Sequence, residues 1–191
     1  MTEVLLFHHA LGLTDGVLAF AVDLRSAGHV VHTPDLYEGK TFPTVPEGVA
    51  NARGIGFGTI MERGTAAAEG LPSDLVYAGF SLGVMSAQAL TQTRPGARGG
   101  LFFYAFLDPS EFDPPWPERI PAQIHMKEDD PEVQEGDLDA ARAFAEATDS
   151  AELFLYPGDE HLFADRSSSD YDDAAAALLL KRSLEFLDRV G

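Results

Sequence analysis

Short apolar runs alternate with longer stretches of helical periodicity along the chain. Val4 to His8 is an apolar run of strand length. Gly12 and the Thr14–Asp15–Gly16 group then mark a turn and a helix start, with Thr14 or Asp15 as the cap. Val17, Phe20, Ala21 and Leu24 recur at helical spacing, and Gly28 ends that helix. His29 to Thr33 is a second strand, stopped by Pro34. From Asp35 to about Pro46 the chain is rich in Pro, Gly and Thr and reads as a loop. Glu47 to Gly70 is helical in pattern but interrupted at Gly54, Gly56 and Gly58, which predicts a broken helix and then a cleaner one from about Thr59. No strand precedes these glycines and their spacing is wrong for a dinucleotide fingerprint.

The second half repeats the alternation. Strands are predicted at Leu75–Ala78, Gly100–Tyr104, Gln123–Met126 and Leu153–Tyr156. Helices are predicted over Leu82–Thr93, Pro131–Thr148 and Asp172–Val190, the last with Leu180, Leu184 and Leu187 on one face. Asp108 to Pro117, which contains four prolines and the only tryptophan, Trp116, reads as a loop. Alternating strands and helices predict an α/β architecture, a mainly parallel sheet of about six strands with helices on both faces. Neither a linker nor a repeat interrupts residues 1–191, so a single domain is expected.

Composition narrows the function classes. A chain of 191 residues with 45% apolar content is large enough to bury a core. No apolar run approaches the roughly 20 residues of a membrane span, and the N-terminus lacks the pattern of a secretory leader, so a cytoplasmic location is expected. The absence of cysteine excludes disulfides, thiolate metal sites and thiol nucleophiles. A formal charge of -18 makes nucleic acid and anionic membrane surfaces poor partners. His8 and His9 do not suggest a metal pair, because adjacent strand residues point to opposite faces; neither a metal nor a cofactor is expected.

In parallel sheets, ligands sit beyond the carboxyl ends of the strands. Three predicted strand ends carry chemistry: Ser81 in "AGFSLGV", Asp129 and Asp130 in "KEDDPEV", and His161 in "YPGDEHLFAD". Singly, each has an ordinary reading as a turn serine, a helix cap or a loop histidine. Together they stand in the order serine, acid, histidine that accompanies a nucleophile elbow. A serine hydroxyl needs an imidazole to take its proton, and the imidazole needs a carboxylate to fix its tautomer. Gly79 and Gly83 suit a tight turn, and the helix from Leu82 aims its first amides at a bound carbonyl.

The chain resembles the dienelactone hydrolase family, a branch of the α/β-hydrolases, over nearly its whole length. The resemblance rests on "VVHTPDLYEG", "AGFSLGV", "IHMKEDDPEV" and "YPGDEHLFADRSSSDYDDAAA". It implies the α/β-hydrolase fold, with Ser81 as nucleophile, Asp130 rather than Asp129 as acid, and His161 as base. It also places oxyanion donors at the backbone amides of Leu82 and Ala10. Four departures accompany it. Serine replaces the cysteine of the best-known members, His9 replaces a glutamate, Asp165 replaces a substrate-binding arginine, and the family's N-terminal hairpin is missing. Losing the arginine implies a less anionic substrate.

The expected activity is hydrolysis of a small ester or lactone through an acyl-enzyme. An acyltransferase on the same triad and a non-catalytic ligand-binding protein are the alternatives. His9, Leu11, Tyr37, Phe106 and Trp116 are candidate pocket residues, and Arg53 and Arg63 candidate carboxylate binders. His125 could reach the pocket or be a buried, satisfied histidine. The expected partner is a small-molecule substrate, the expected assembly a monomer or homodimer.

Overall fold

The chain follows the order β1 (Glu3–Phe7), α1 (Asp15–Ser26), β2 (Val30–His32), α2 (Val45–Ile55), α3 (Phe57–Ala68), β3 (Val76–Phe80) and α4 (Gly83–Thr93). It continues through β4 (Gly99–Phe103), β5 (Ala122–Lys127), α5 (Asp137–Ala147), β6 (Ala151–Tyr156) and α6 (Asp173–Val190). The computed structural model describes every residue except Gln134 and Glu135. The strands form one sheet in the order β2-β1-β3-β4-β5-β6, and every neighbouring pair is parallel. This is the α/β-hydrolase arrangement, and no antiparallel hairpin occurs among the described residues. Among them, no helix is long and apolar enough to cross a membrane.

The period-two alternation of the strands divides the core. Val4, Leu6, Val76, Ala78, Leu101 and Phe103 face a layer made by α1, α6 and the segment after His161. Leu5, Phe7, Tyr77, Phe102, Ile124 and Met126 face α2, α3, α4 and α5. Each fully buried large side chain contributes on the order of 2 kcal/mol.

Several boundaries differ from the sequence reading, each for a local reason. The expected loop up to Pro46 is shorter, because the Thr44 side chain accepts from the Glu47 N–H at 3.4 Å and starts α2 at Val45. Pro46 is tolerated there because first-turn N–H groups have no intrahelical partner. Of the three glycine interruptions only Gly56, at φ 94°, breaks the helix; Gly54 lies inside α2 and Gly58 inside α3. β3 runs two residues further than expected, to Phe80, so Ser81 follows it directly. The helix expected from Pro131 begins at Asp137; Asp130 takes the Glu132 N–H at 2.9 Å, a turn that competes with helix, and Gln134 and Glu135 lie outside the described residues. On α6 the buried stripe runs through Ala175, Leu179, Ser183, Phe186 and Leu187, while Leu180 and Leu184 flank it.

Candidate active site

The strand order reverses direction between β1 and β3, which opens a crevice beyond their carboxyl ends. Ser81 stands at that point. Its φ of 47° is a strained, left-handed conformation for a residue with a side chain. The turn is fixed from both sides, since the Ser81 N–H donates to Phe103 O at 2.7 Å and its carbonyl accepts from the Val84 N–H at 2.8 Å. The two flanking glycines are steric requirements. A Cβ on Gly79 would overlap the Gly83 carbonyl, and a Cβ on Gly83 would lie 2.6 Å from Phe7 O and 2.7 Å from His8 O. The start of α4 is thereby pressed against the end of β1.

His161 Nε2 lies 2.8 Å from Ser81 Oγ, and its Nδ1 lies 2.6 Å from Asp130 Oδ2. The His161 and Asp130 side chains are only 5% and 1% exposed, so water competes poorly for this chain of bonds. Asp129 is exposed, and its backbone N–H donates to Gly158 O at 3.1 Å.

Two residues that the sequence reading did not single out hold the histidine loop. Tyr104, at φ 73°, follows β4; its hydroxyl accepts from the Ala164 N–H at 2.9 Å and its ring lies 5.6 Å from the His161 ring. Burial pushes its phenol well above the ordinary range, so it stays neutral. Lys127, at the end of β5, has a side chain 1% exposed and donates to Asp172 Oδ2 at 2.6 Å and Pro157 O at 2.7 Å, with Glu160 at 3.0 Å. Burial pulls the ammonium pKa down, but its bonds to Asp172 and Glu160 outweigh this and hold it above the ordinary value. A lysine at the end of a strand whose neighbours Ile124 and Met126 are apolar was the one available sequence signal.

The second loop at the crevice is His8 to Leu13. Among the described residues, no acceptor takes the N–H groups of Ala10 or Leu82. The two histidines of this loop diverge, as adjacent positions should. His8 Nδ1 donates to His9 O at 2.8 Å while its Nε2 accepts from the Leu36 N–H at 3.0 Å, and burial lowers its pKa to about 4. His9 turns to the opposite layer and meets Asp165 Oδ2 at 2.7 Å. α2 lies directly on this loop, because a Cβ on Gly48 would overlap Ala10 O.

The other candidate pocket residues separate. Leu11 lines a groove of about 420 Å³ together with Thr14, Thr41, Phe42 and Ser167 to Ser169, between the Ala10 loop and the chain following His161. Among the described residues, no lysine, arginine or histidine lines it. Tyr37 and Phe106 are instead fully buried core residues, and half-buried Trp116 packs on Phe102 and Phe144. The loop after β4 turns Phe106 and Trp116 inward onto Phe102 and Phe144, whereas Tyr37 packs edge-on against His8 and Phe42 beside α2. His9 is likewise buried rather than open to a groove. His125 is a satisfied core histidine, bonded to the Tyr156 hydroxyl at 2.8 Å, with burial lowering its pKa to about 3. Arg63 is committed to Leu36 O and Glu38, and Arg53 is exposed on α2. Among the described residues, no cluster of three histidine, aspartate or glutamate side chains could hold a metal ion.

Comparison with known proteins agrees with this architecture. The model of the dienelactone hydrolase family matches residues 1–191, and the chain belongs to that family. Membership makes it a hydrolase of the ester and lactone class. The fold is similar to that of P91, a dienelactone hydrolase-like promiscuous phosphotriesterase from metagenomic libraries, with 20% identity and a TM-score of 0.78, covering 100% of this chain and 87% of that one. It is similar to m3DLH, with 22% identity and a TM-score of 0.78 over 99% of this chain and 86% of the other. It is also similar to a thermophilic esterase, Est2, of the planctomycete Thermogutta terrifontis, solved with butyrate bound, with 19% identity and a TM-score of 0.58 over 100% and 84% of the two chains. No curated protein matches the chain.

Proposed function

We propose that this member of the dienelactone hydrolase family cleaves small, uncharged carboxylic esters or lactones through a Ser81–His161–Asp130 triad. The observation that carries the reading is the unbroken hydrogen-bond chain from Ser81 Oγ through His161 to Asp130, at 2.8 and 2.6 Å. Asp130 accepts from Nδ1–H, which leaves Nε2 free to take the serine proton. Ser81 Oγ then attacks the carbonyl carbon as its proton passes to His161. The developing oxyanion is met by the amides of Ala10 and Leu82, each worth about 3 kcal/mol in sites of this kind. His161 returns the proton to the departing alkoxide and the acyl group stays on Ser81; a water deprotonated by His161 then attacks the acyl carbon, the bond to Ser81 Oγ breaks, and His161 gives the proton back to Oγ as the acid leaves. Every step uses groups of this one chain, residues 1–191 acting as a single unit.

The preference for an uncharged substrate rests on the resemblance, in which Asp165 stands where relatives carry a substrate-binding arginine; the groove beside Leu11, whose lining includes none of Ser81, Asp130 and His161, offers no cation either. The butyrate complex of the fold neighbour Est2 is consistent with short acyl groups. The test is a panel of short-chain nitrophenyl esters and lactones, run on the native protein and on Ser81→Ala. The native protein should turn over neutral esters, and the variant should lose roughly 10⁵-fold in kcat. A fluorophosphonate should label Ser81 stoichiometrically. Turnover that survives Ser81→Ala would falsify the triad.

A further inference from the structure

A second imidazole–carboxylate pair lies at the same end of the sheet, outside the triad. Asp165 is 3% exposed, and both of its carboxylate oxygens are saturated. Oδ2 accepts from His9 Nε2 and from Thr14 Oγ1, each at 2.7 Å; Oδ1 accepts from the Ser167 N–H at 2.7 Å and from Ser167 Oγ at 2.5 Å. The carboxylate therefore ties the chain just beyond His161 to both ends of the β1–α1 connection, at His9 and at the Thr14 cap. α1 sits hard against it, since a Cβ on Gly16 would fall on Asp165 Oδ1.

The far side of His9 explains what this network holds. His9 Nδ1 accepts from the Leu11 N–H at 3.2 Å. That bond requires an unprotonated Nδ1, so the ring proton sits on Nε2, where Asp165 receives it. The Ala10 residue thus lies between two neighbours tied to one imidazole, with its own carbonyl backed by Gly48. On the other side of Asp165, its N–H donates to Leu162 O at 2.9 Å, next to His161.

We propose that Asp165, acting through His9, is a positioning residue that sets the Ala10 amide relative to His161. The inference rests on the reading of Ala10 as an oxyanion donor. His9 and Asp165 touch no reacting atom; they fix where one donor stands. Asp165→Asn keeps the volume but gives Oδ2 or Oδ1 the wrong polarity for at least one of its donors. His9→Gln removes the Nδ1 acceptor of the Leu11 N–H.

The experiment compares kcat/KM for a short ester with that for the matching thionoester, whose sulfur accepts amide hydrogen bonds poorly. An aligned hole favours the ester; a displaced one discriminates less. Asp165→Asn should lower kcat for the ester about 10- to 100-fold with KM within about threefold, the scale for a donor misplaced by about 1 Å. The ester-to-thionoester ratio should fall several-fold. His9→Gln should move the ratio in the same direction, and it serves if Asp165→Asn does not fold. An unchanged ratio in whichever variant folds means that the network only stabilises the fold and overturns the proposal. Ser81→Ala is run beside them: activity retained there sinks the triad reading itself, a result separable from an unchanged ratio.

Discussion

Among the described residues, two hydrogen-bonded histidine–aspartate pairs stand at one end of the sheet, and they differ in what the second imidazole nitrogen meets. In His161–Asp130 that nitrogen faces a hydroxyl at 2.8 Å, on a residue partly open to solvent. In His9–Asp165 it accepts a backbone N–H at 3.2 Å inside a closed layer. On the proposed reading, the same pair of side chains is a proton acceptor in the first case and a brace in the second. Carboxylate contact does not make a base; a base also needs a proton donor that can react.

The largest test of this contrast replaces one acid at a time. Asp130→Asn should cost about 10³- to 10⁴-fold in kcat, because the amide cannot hold the His161 tautomer or stabilise its charged form. Asp165→Asn should cost far less. Equal losses in steady-state kinetics would erase the distinction.

A smaller effect separates the two sides of the crevice. Gly83→Ala forces a methyl to within 2.6 Å of Phe7 O, so it should push α4 and β1 apart. Overpacking of this kind costs about 1–3 kcal/mol in stability, and activity should fall with it in a combined denaturation and rate measurement. Gly48→Ala presses on the Ala10–Leu11 peptide. It should reduce kcat about tenfold while leaving phosphonate labelling of Ser81 complete.

The smallest effect is on pH dependence. Burial alone would raise the Asp165 pKa, yet the bonds from His9, Ser167 and Thr14 hold it far below the ordinary carboxylate range. A depressed carboxyl contributes stability that is present above its unfolded value near about 4 and is lost as pH falls towards the folded value. The stability gap between native protein and Asp165→Asn should therefore be constant from pH 7 to 5 and narrow below pH 4 in denaturant titrations.

The sequence carried the sheet and the three strand-end groups because both depend on local pattern: apolar runs, glycines at the elbow, and chain order. Even Asp130 over Asp129 came from the resemblance; in the structure Asp130 is the one hydrogen-bonded to His161. The brace was not legible. His9 and Asp165 are 156 positions apart, and nothing near either residue marks it as half of a pair. The inward turn of Phe106 and Trp116 was hidden for a similar reason, since a loop's aromatic content says nothing about which layer needs filling. The α6 stripe was misplaced because leucines were weighted above the alanines and Ser183, whose small size lets the helix approach the sheet.

The Lys127 contacts carry a consequence for the order in which the enzyme is made. The ammonium at the end of β5 is shared between Glu160, just before His161, and Asp172, which caps α6. Sheet, elbow and Asp130 are all synthesised before that cap emerges. Until α6 docks, the buried cation lacks one of its two carboxylates, and the loop bearing His161 lacks its anchor. The loop before His161 is therefore tied to the end of β5 only when the last helix, with Asp172 at its cap, is in place.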